Sequence, residues 1–223
     1  MPNYWTVSPE WKGETVFIIG GGPSVADQNV ESLRGRKVIV INSSCYDFSW
    51  ADILFFADLL WWSEHKNAVK NFAGRCVTTD PDIRGDNILH LKRRYPAGTK
   101  LQPGAKSEQA ALVLKSGLAI DRSELVVLKT SMTAAINLAV HLGAKRIALL
   151  GADGGPKDGR THHHKPHNRG QVEANWKLMR EELATLVEPL RELGIDVVNC
   201  SLGSLITCWP IMSLEEFLQM ETP

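Results

Sequence analysis

Val16-Phe17-Ile18-Ile19-Gly20-Gly21-Gly22-Pro23-Ser24-Val25 decides the fold: four apolar residues run straight into three glycines, a proline and a serine. The apolar run is short, β-branched and not alternating, which suits a central parallel strand covered on both faces. Glycine lets the backbone turn sharply and lets a ligand approach bare N–H groups. Proline is tolerated at the first turn of a helix, where its missing donor has no partner anyway. The residues from Ser24 to about Leu33 read as a short helix whose N-terminus faces the loop, where an anion is favoured by free N–H groups and the helix dipole. Gly20, Gly21, Gly22, Pro23 and Ser24 are therefore candidate phosphate contacts. The dinucleotide fingerprint wants a third glycine where this chain has Val25, and an acidic residue where it has Asn42. No Gly-Lys-Ser/Thr follows, so an ordinary NAD or FAD site and a Walker loop are both disfavoured. The alternative is a tight strand-to-helix turn with no ligand.

The length of 223 residues suits one α/β domain spanning 1–223, large enough to bury a core without disulfides or metals. With 25 basic and 25 acidic residues the chain has no electrostatic footprint for bulk nucleic acid or an anionic membrane. Residues Met1 to Trp11 lack a signal-peptide pattern and no apolar stretch is long enough to span a bilayer, so a cytoplasmic protein is expected. Cys45, Cys76, Cys200 and Cys208 share no Cys-x-x-Cys spacing, which predicts reduced thiols. Seven tryptophans are many for this length, and several are expected beside a site rather than in the core.

Strands and helices alternate along the chain. Lys37 to Ile41 is a second apolar strand ending in Asn42-Ser43-Ser44, at the edge where open α/β sheets bind ligands. Asn42 and Ser43 can touch a base or sugar there, or serve as turn formers. Ile53 to Ala57 reads as a third strand delivering Asp58, followed by Leu59-Leu60-Trp61-Trp62 and a helix from about Ser63 to Phe72. Asp58 could hold a cation or act as a base with Trp61 and Trp62 stacking on a ring; equally it could cap the helix over core indoles. Arg75 to Thr79 and Asn87 to Leu91 are short strands around a turn at Asp80-Pro81-Asp82. Residues 92–123, broken by Pro96, Gly98, Pro103, Gly104 and Gly117, are a candidate insertion or lid. Leu125 to Leu128 is expected to resume the sheet. Thr130-Ser131-Met132-Thr133 then opens a helix to Leu142, stopped by Gly143, placing Ser131 and Thr133 as a second anion contact.

Arg146 to Leu150 is another buried strand, and it delivers Asp153 in a glycine-rich turn as Ile53 to Ala57 delivers Asp58. The segment Arg160-Thr161-His162-His163-His164-Lys165-Pro166-His167-Asn168-Arg169 is the least ordinary in the chain. Imidazole transfers protons near neutral pH and ligates transition metals. His162, His164 and His167 are candidate bases or leaving-group acids, with Arg160 and Arg169 as phosphate contacts; a solvated polar loop is the alternative. Gln171 to Leu193 reads as one long core-packing helix with an irregularity at Pro189, and Asp196 to Cys200 as the last strand. Ser213-Leu214-Glu215-Glu216 announces a capped terminal helix.

The Gly-Gly-Gly-Pro-Ser loop, together with the run from Thr133 to Asp153 (Thr-Ala-Ala-Ile-Asn-Leu-Ala-Val-His-Leu-Gly-Ala-Lys-Arg-Ile-Ala-Leu-Leu-Gly-Ala-Asp), resembles the MptE-like family. Phe56-Ala57-Asp58-Leu59-Leu60-Trp61-Trp62 with Thr161-His162-His163-His164 looks most like its short phage and prophage members, which implies the host cytoplasm. The resemblance implies a Rossmann-like parallel-sheet sandwich and a nucleotide-dependent transferase, with Gly20, Gly21, Gly22 and Ser24 on the phosphates. The family's pterin pyrophosphokinases carry Asp-Leu-Asp where this chain has Asp58-Leu59-Leu60, and a His-x-His-Gly-Asp-Asn motif of which only Gly85-Asp86-Asn87 is matched. Glycosyl transfer from a nucleotide sugar, with a histidine base, is therefore expected over the alternative, pyrophosphoryl transfer from ATP with Mg2+ on Asp58 and Asp153. A third reading is a non-catalytic nucleotide-binding accessory protein. The expected partners are a nucleotide donor and an acceptor that the sequence does not identify, with homo-oligomerisation left open.

Overall fold

The strand predicted at Val16 becomes β1 (Thr15–Ile19) of a computed structural model that describes residues 3–95, 113–114, 117–127, 129–164 and 173–221. In chain order it is followed by β2 (Lys37–Ile41), β3 (Ile53–Phe56), β4 (Arg75–Thr78) and β5 (Ile88–His90). After them come β6 (Lys92–Arg94), β7 (Val113–Leu114), β8 (Leu118–Ala119), β9 (Glu124–Val126), β10 (Arg146–Leu150) and β11 (Asp196–Asn199). Seven of these form a wholly parallel sheet in the order β11-β10-β1-β2-β3-β4-β5. The chain walks outward from β1 to β5 and then returns to lay β10 against the other side of β1. The resulting switch point lies between β1 and β10, and in open parallel sheets that crevice, at the carboxyl ends of the strands, is where ligands bind.

The apolar runs are continuous because both faces of the sheet are covered. Val16, Ile18, Ile39, Ile53, Phe55, Ile147 and Leu149 face one buried layer. Their neighbours Phe17, Ile19, Val38, Val40, Leu54, Phe56, Ala148 and Leu150 face the other. Helix α1 (Leu59–Asn71) packs in the second layer through Trp61 and Val69. Helices α2 (Ser131–Leu142), α3 (Glu173–Ala184) and α4 (Val187–Glu192) pack in the first, and α5 (Leu214–Glu221) in the second through Leu214 and Phe217. The architecture is the expected Rossmann-like α/β sandwich. No helix among the described residues is long and apolar enough to cross a membrane.

Several elements differ from expectation for identifiable reasons. The predicted helix after Pro23 is two 3-10 turns, Pro23–Asp27 and Val30–Leu33, with no continuous helix between them. Helix α1 starts at Leu59 rather than Ser63, because Asp58 caps it by accepting from the N–H groups of Leu60 and Trp61. β9 does not rejoin the large sheet; it pairs in parallel with β6, inside the segment read as an insertion. Residues 96–112 of that segment lie outside the described residues, as do Lys165 to Val172, including His167 and Arg169. The single long helix is divided into α3 and α4 at Thr185–Leu186, which puts Pro189 in the first turn of α4, where no amide donor is needed. The terminal capping box forms as read: Ser213 N–H donates to the Glu216 carboxylate at 2.8 Å and Glu216 N–H to Ser213 Oγ at 3.1 Å.

Candidate functional site

Four strands deliver their carboxyl ends to one cavity of about 660 Å³, a size that suits a nucleotide-sized ligand. Its wall includes Gly20, Gly21 and Gly22 after β1, Asn42 after β2, Asp58 after β3 and Gly151 to Gly155 after β10. The start of α2 contributes Thr130, Ser131 and Met132, and the histidine segment contributes Thr161, His162 and His164.

The glycine loop is held by the β10 loop. Gly20 N–H donates to Leu150 O at 2.8 Å and Gly22 N–H to Gly151 O at 3.1 Å. Ser24 donates twice to Asp153, from its amide at 3.2 Å and from its hydroxyl at 2.9 Å. A Cβ on Gly22 would overlap Asp153 Oδ2 and Gly151 O, whereas one on Gly21 would meet His164 Nε2 at 3.1 Å at the cavity wall. Asp153 is thus the buried acceptor of this turn, and burial raises its pKa despite the two Ser24 hydrogen bonds that lower it. Pro23 is buried, and Ser24 faces a second cavity of about 610 Å³ behind the loop, together with Asp27, Gln28, Lys157 and Leu214.

The histidine segment folds back over the glycine loop. His163 is its anchor, although only its neighbours stand out in the sequence as candidate bases. Its amide donates to Gly21 O at 3.1 Å, its Nε2 lies 3.0 Å from Ser44 Oγ, and its Nδ1 lies 3.2 Å from Asp47 Oδ2. Ser44 is fully buried and donates its own proton to Gly20 O, so this Ser-His-Asp arrangement braces the loop and offers no accessible nucleophile. Burial, then the neighbouring His164, hold the His163 imidazole down to about 4, against the opposing pull of Asp47. With His163 fixed, His162 and His164 sit with rings 5.0 Å apart on the cavity wall.

Other predicted contacts are used structurally. Ser43 is buried and accepts from Trp61 Nε1 at 2.8 Å; Trp61 lies against Phe56 and His65 with one edge on the cavity. Trp62 packs under Lys66 and does not line the cavity. Thr130 caps α2 and Ser131 lines the cavity, whereas Thr133 is fully buried away from the cavity wall. Arg160 pairs with Asp27 at 3.6 Å on the side of the second cavity. Asn42 does line the cavity, in a left-handed conformation (φ 50°) that is uncommon outside glycine, with its Oδ1 buried and without a partner among the described residues.

The cavity also takes residues that no sequence pattern marks as functional. Arg93 of β6 and Lys129 supply cations, Glu64 a carboxylate, and Trp176 and Met179 an apolar wall from the half-buried face of α3. Trp176 falls on the apolar stripe of an amphipathic helix, which is why it reads as core. Among the described residues no group of three or more His, Cys, Asp or Glu could hold a metal ion. No family model, curated protein or solved structure matches the chain.

Proposed function

We propose that the protein is a nucleotide-dependent transferase that moves a glycosyl group from a nucleotide sugar to an acceptor hydroxyl. The observation that carries the reading is a single cavity at the sheet's switch point that combines the imidazoles of His162 and His164 with the cations Arg93 and Lys129 and the start of α2. Such a site can bind a phosphate-bearing donor and offer a base to a second substrate. In this reading the acceptor oxygen forms a bond to the sugar's anomeric carbon while its proton passes to His162 or His164. The bond from that carbon to the donor phosphate breaks, and its electron pair leaves with the nucleoside phosphate, whose charge the cations stabilise. Trp176 and Trp61 give the cavity aromatic surface for a base or sugar ring. The resemblance to MptE-like proteins points the same way.

The alternative, ATP- and Mg2+-dependent pyrophosphoryl transfer, finds less support. Its two carboxylates are committed, Asp58 to capping α1 and Asp153 to both donors of Ser24. A magnesium ion held there would have to share these carboxylates with the hydrogen bonds they already accept.

Release of nucleoside phosphate from a panel of nucleotide sugars tests the reading. A glycosyl transferase leaks slowly to water even without its acceptor. Replacing His162 and His164 together by glutamine should lower that release by about 100-fold or more, the usual worth of a general base. Undiminished release from the double variant, or none from any sugar nucleotide, contradicts the assignment.

A further inference from the structure

We infer that the cavity's phosphate seat is built by Arg93, Lys129 and the amino end of α2, and that the ligand group it takes is a phosphate or diphosphate. This deepens the nucleotide reading above and rests on it for the rest of the ligand.

The glycine loop, the obvious seat from the sequence, has largely spent its donors. Gly20, Gly22 and Ser24 N–H groups are bonded within the protein, Pro23 has none, and Asp153 already places a carboxylate at the following turn. The turn that follows is a five-residue 3-10 segment, which carries little dipole. The other strand-to-helix junction is different. β6 and β9 run parallel, and β9 leads within five residues into α2, a twelve-residue α-helix. Its first turn abuts the cavity through Thr130, Ser131 and Met132. Thr130 Oγ1 takes the Met132 amide at 3.1 Å, leaving other first-turn donors outside that capping bond.

Arg93 is the second and independent observation. Side chains alternate along β6, and Lys92 and Arg94 on either side both pair with Glu124, at 4.0 and 2.5 Å. Arg93 points the opposite way, onto the cavity wall, and among the described residues it has no acidic partner. Among the described residues its buried Nε has no hydrogen-bond partner, and its guanidinium rests 5.8 Å from the Tyr95 ring centroid. A half-buried guanidinium with an orphan donor is costly unless an anion completes it. Lys129, exposed at the same junction, adds a second cation. Three of the nearby carboxylates are otherwise engaged. Glu182 accepts from the Lys129 and Thr130 amides at 2.8 and 3.1 Å, Asp58 caps α1, and Asp153 holds Ser24. Glu64, also on the wall, belongs to α1. Arg93 can meet phosphate oxygens with its planar fork while the helix amides meet them from the other side.

Inorganic pyrophosphate is the probe, titrated calorimetrically into the full chain at low ionic strength. The wild type should bind it saturably, and Arg93→Gln and Lys129→Gln should each weaken binding by about tenfold, with added salt eroding it further. Lys129 is exposed, so its variant tests the seat even if Arg93→Gln folds poorly; thermal unfolding checks both. No saturable binding, or binding indifferent to both substitutions, overturns the seat. Nucleoside diphosphates in parallel separate it from the reading it rests on. If they bind with unchanged affinity in both variants, the seat is wrong and the nucleotide reading stands. If pyrophosphate binds through Arg93 and Lys129 and no nucleoside diphosphate binds more tightly, the seat is right and the nucleotide reading fails.

Discussion

His163 shows how one buried side chain can organise a site without touching a ligand. It faces Asp47, Ser44 Oγ, His164 and the Phe48 ring, and its amide holds Gly21. Its pKa is lowered from 6.5 to about 4, so between those values the unfolded chain binds a proton that the folded chain refuses. Stability then rises with pH across that window, is fully present above about 6.5, and is lost as pH falls towards about 4, by at most roughly 3 kcal/mol. The difference in unfolding free energy between wild type and His163→Gln should therefore shrink as pH drops from 6.5 to 4. The comparison cancels carboxylates remote from His163 that titrate in the same range. A difference that stays constant contradicts the buried neutral imidazole. Nothing in Thr161-His162-His163-His164 says which histidine is the anchor, because that depends on Ser44 and Asp47, more than a hundred residues earlier.

At the scale of elements, the strands were legible because their continuous apolar runs have no other use than a sheet buried on both faces. The loops between them were legible as turns but not as to purpose. A glycine-rich loop after a strand can serve a phosphate or a neighbouring loop, and here Gly22 serves the neighbour. Gly22→Ala should cost about 2 kcal/mol or more, since the new methyl meets backbone at Gly151 and the Asp153 carboxylate, neither of which can swing away. Gly21→Ala, facing histidine side chains, should unfold at nearly the wild-type temperature. Equal losses for the two would mean that the loop does not pack as described. Arg93 and Lys129 carry no signal in the sequence for the same reason that the pairing of β9 carries none. The pairing of β6 with β9 crosses a stretch of glycines and prolines with no periodic pattern, and only tertiary contact brings the two cations to one cavity.

Across the whole molecule, the order β11-β10-β1-β2-β3-β4-β5 fixes where chemistry can occur. Reversal at β1 opens a crevice, and the loops from β1, β2, β3 and β10, the start of α2 and the histidine segment converge there. The Ser24–Asp153 contact joins the two cavities' walls, Asp153 lining this one and Ser24 the second. The sequence carried enough to place this edge but not the choice among phosphates, sugars and bases, because a fold of this kind hosts many reactions and the site alone discriminates.

The central claim is that a nucleotide occupies the cavity. Thermal unfolding of the full chain against nucleoside mono- and diphosphates and nucleotide sugars, with and without Mg2+, tests it most directly. A donor at about a hundred times its dissociation constant adds roughly 2.7 kcal/mol, a rise on the order of 5 to 10 °C for a chain of this size. The account predicts that rise for one nucleotide family without added metal, reduced in Arg93→Gln; no shift with any nucleotide would contradict it.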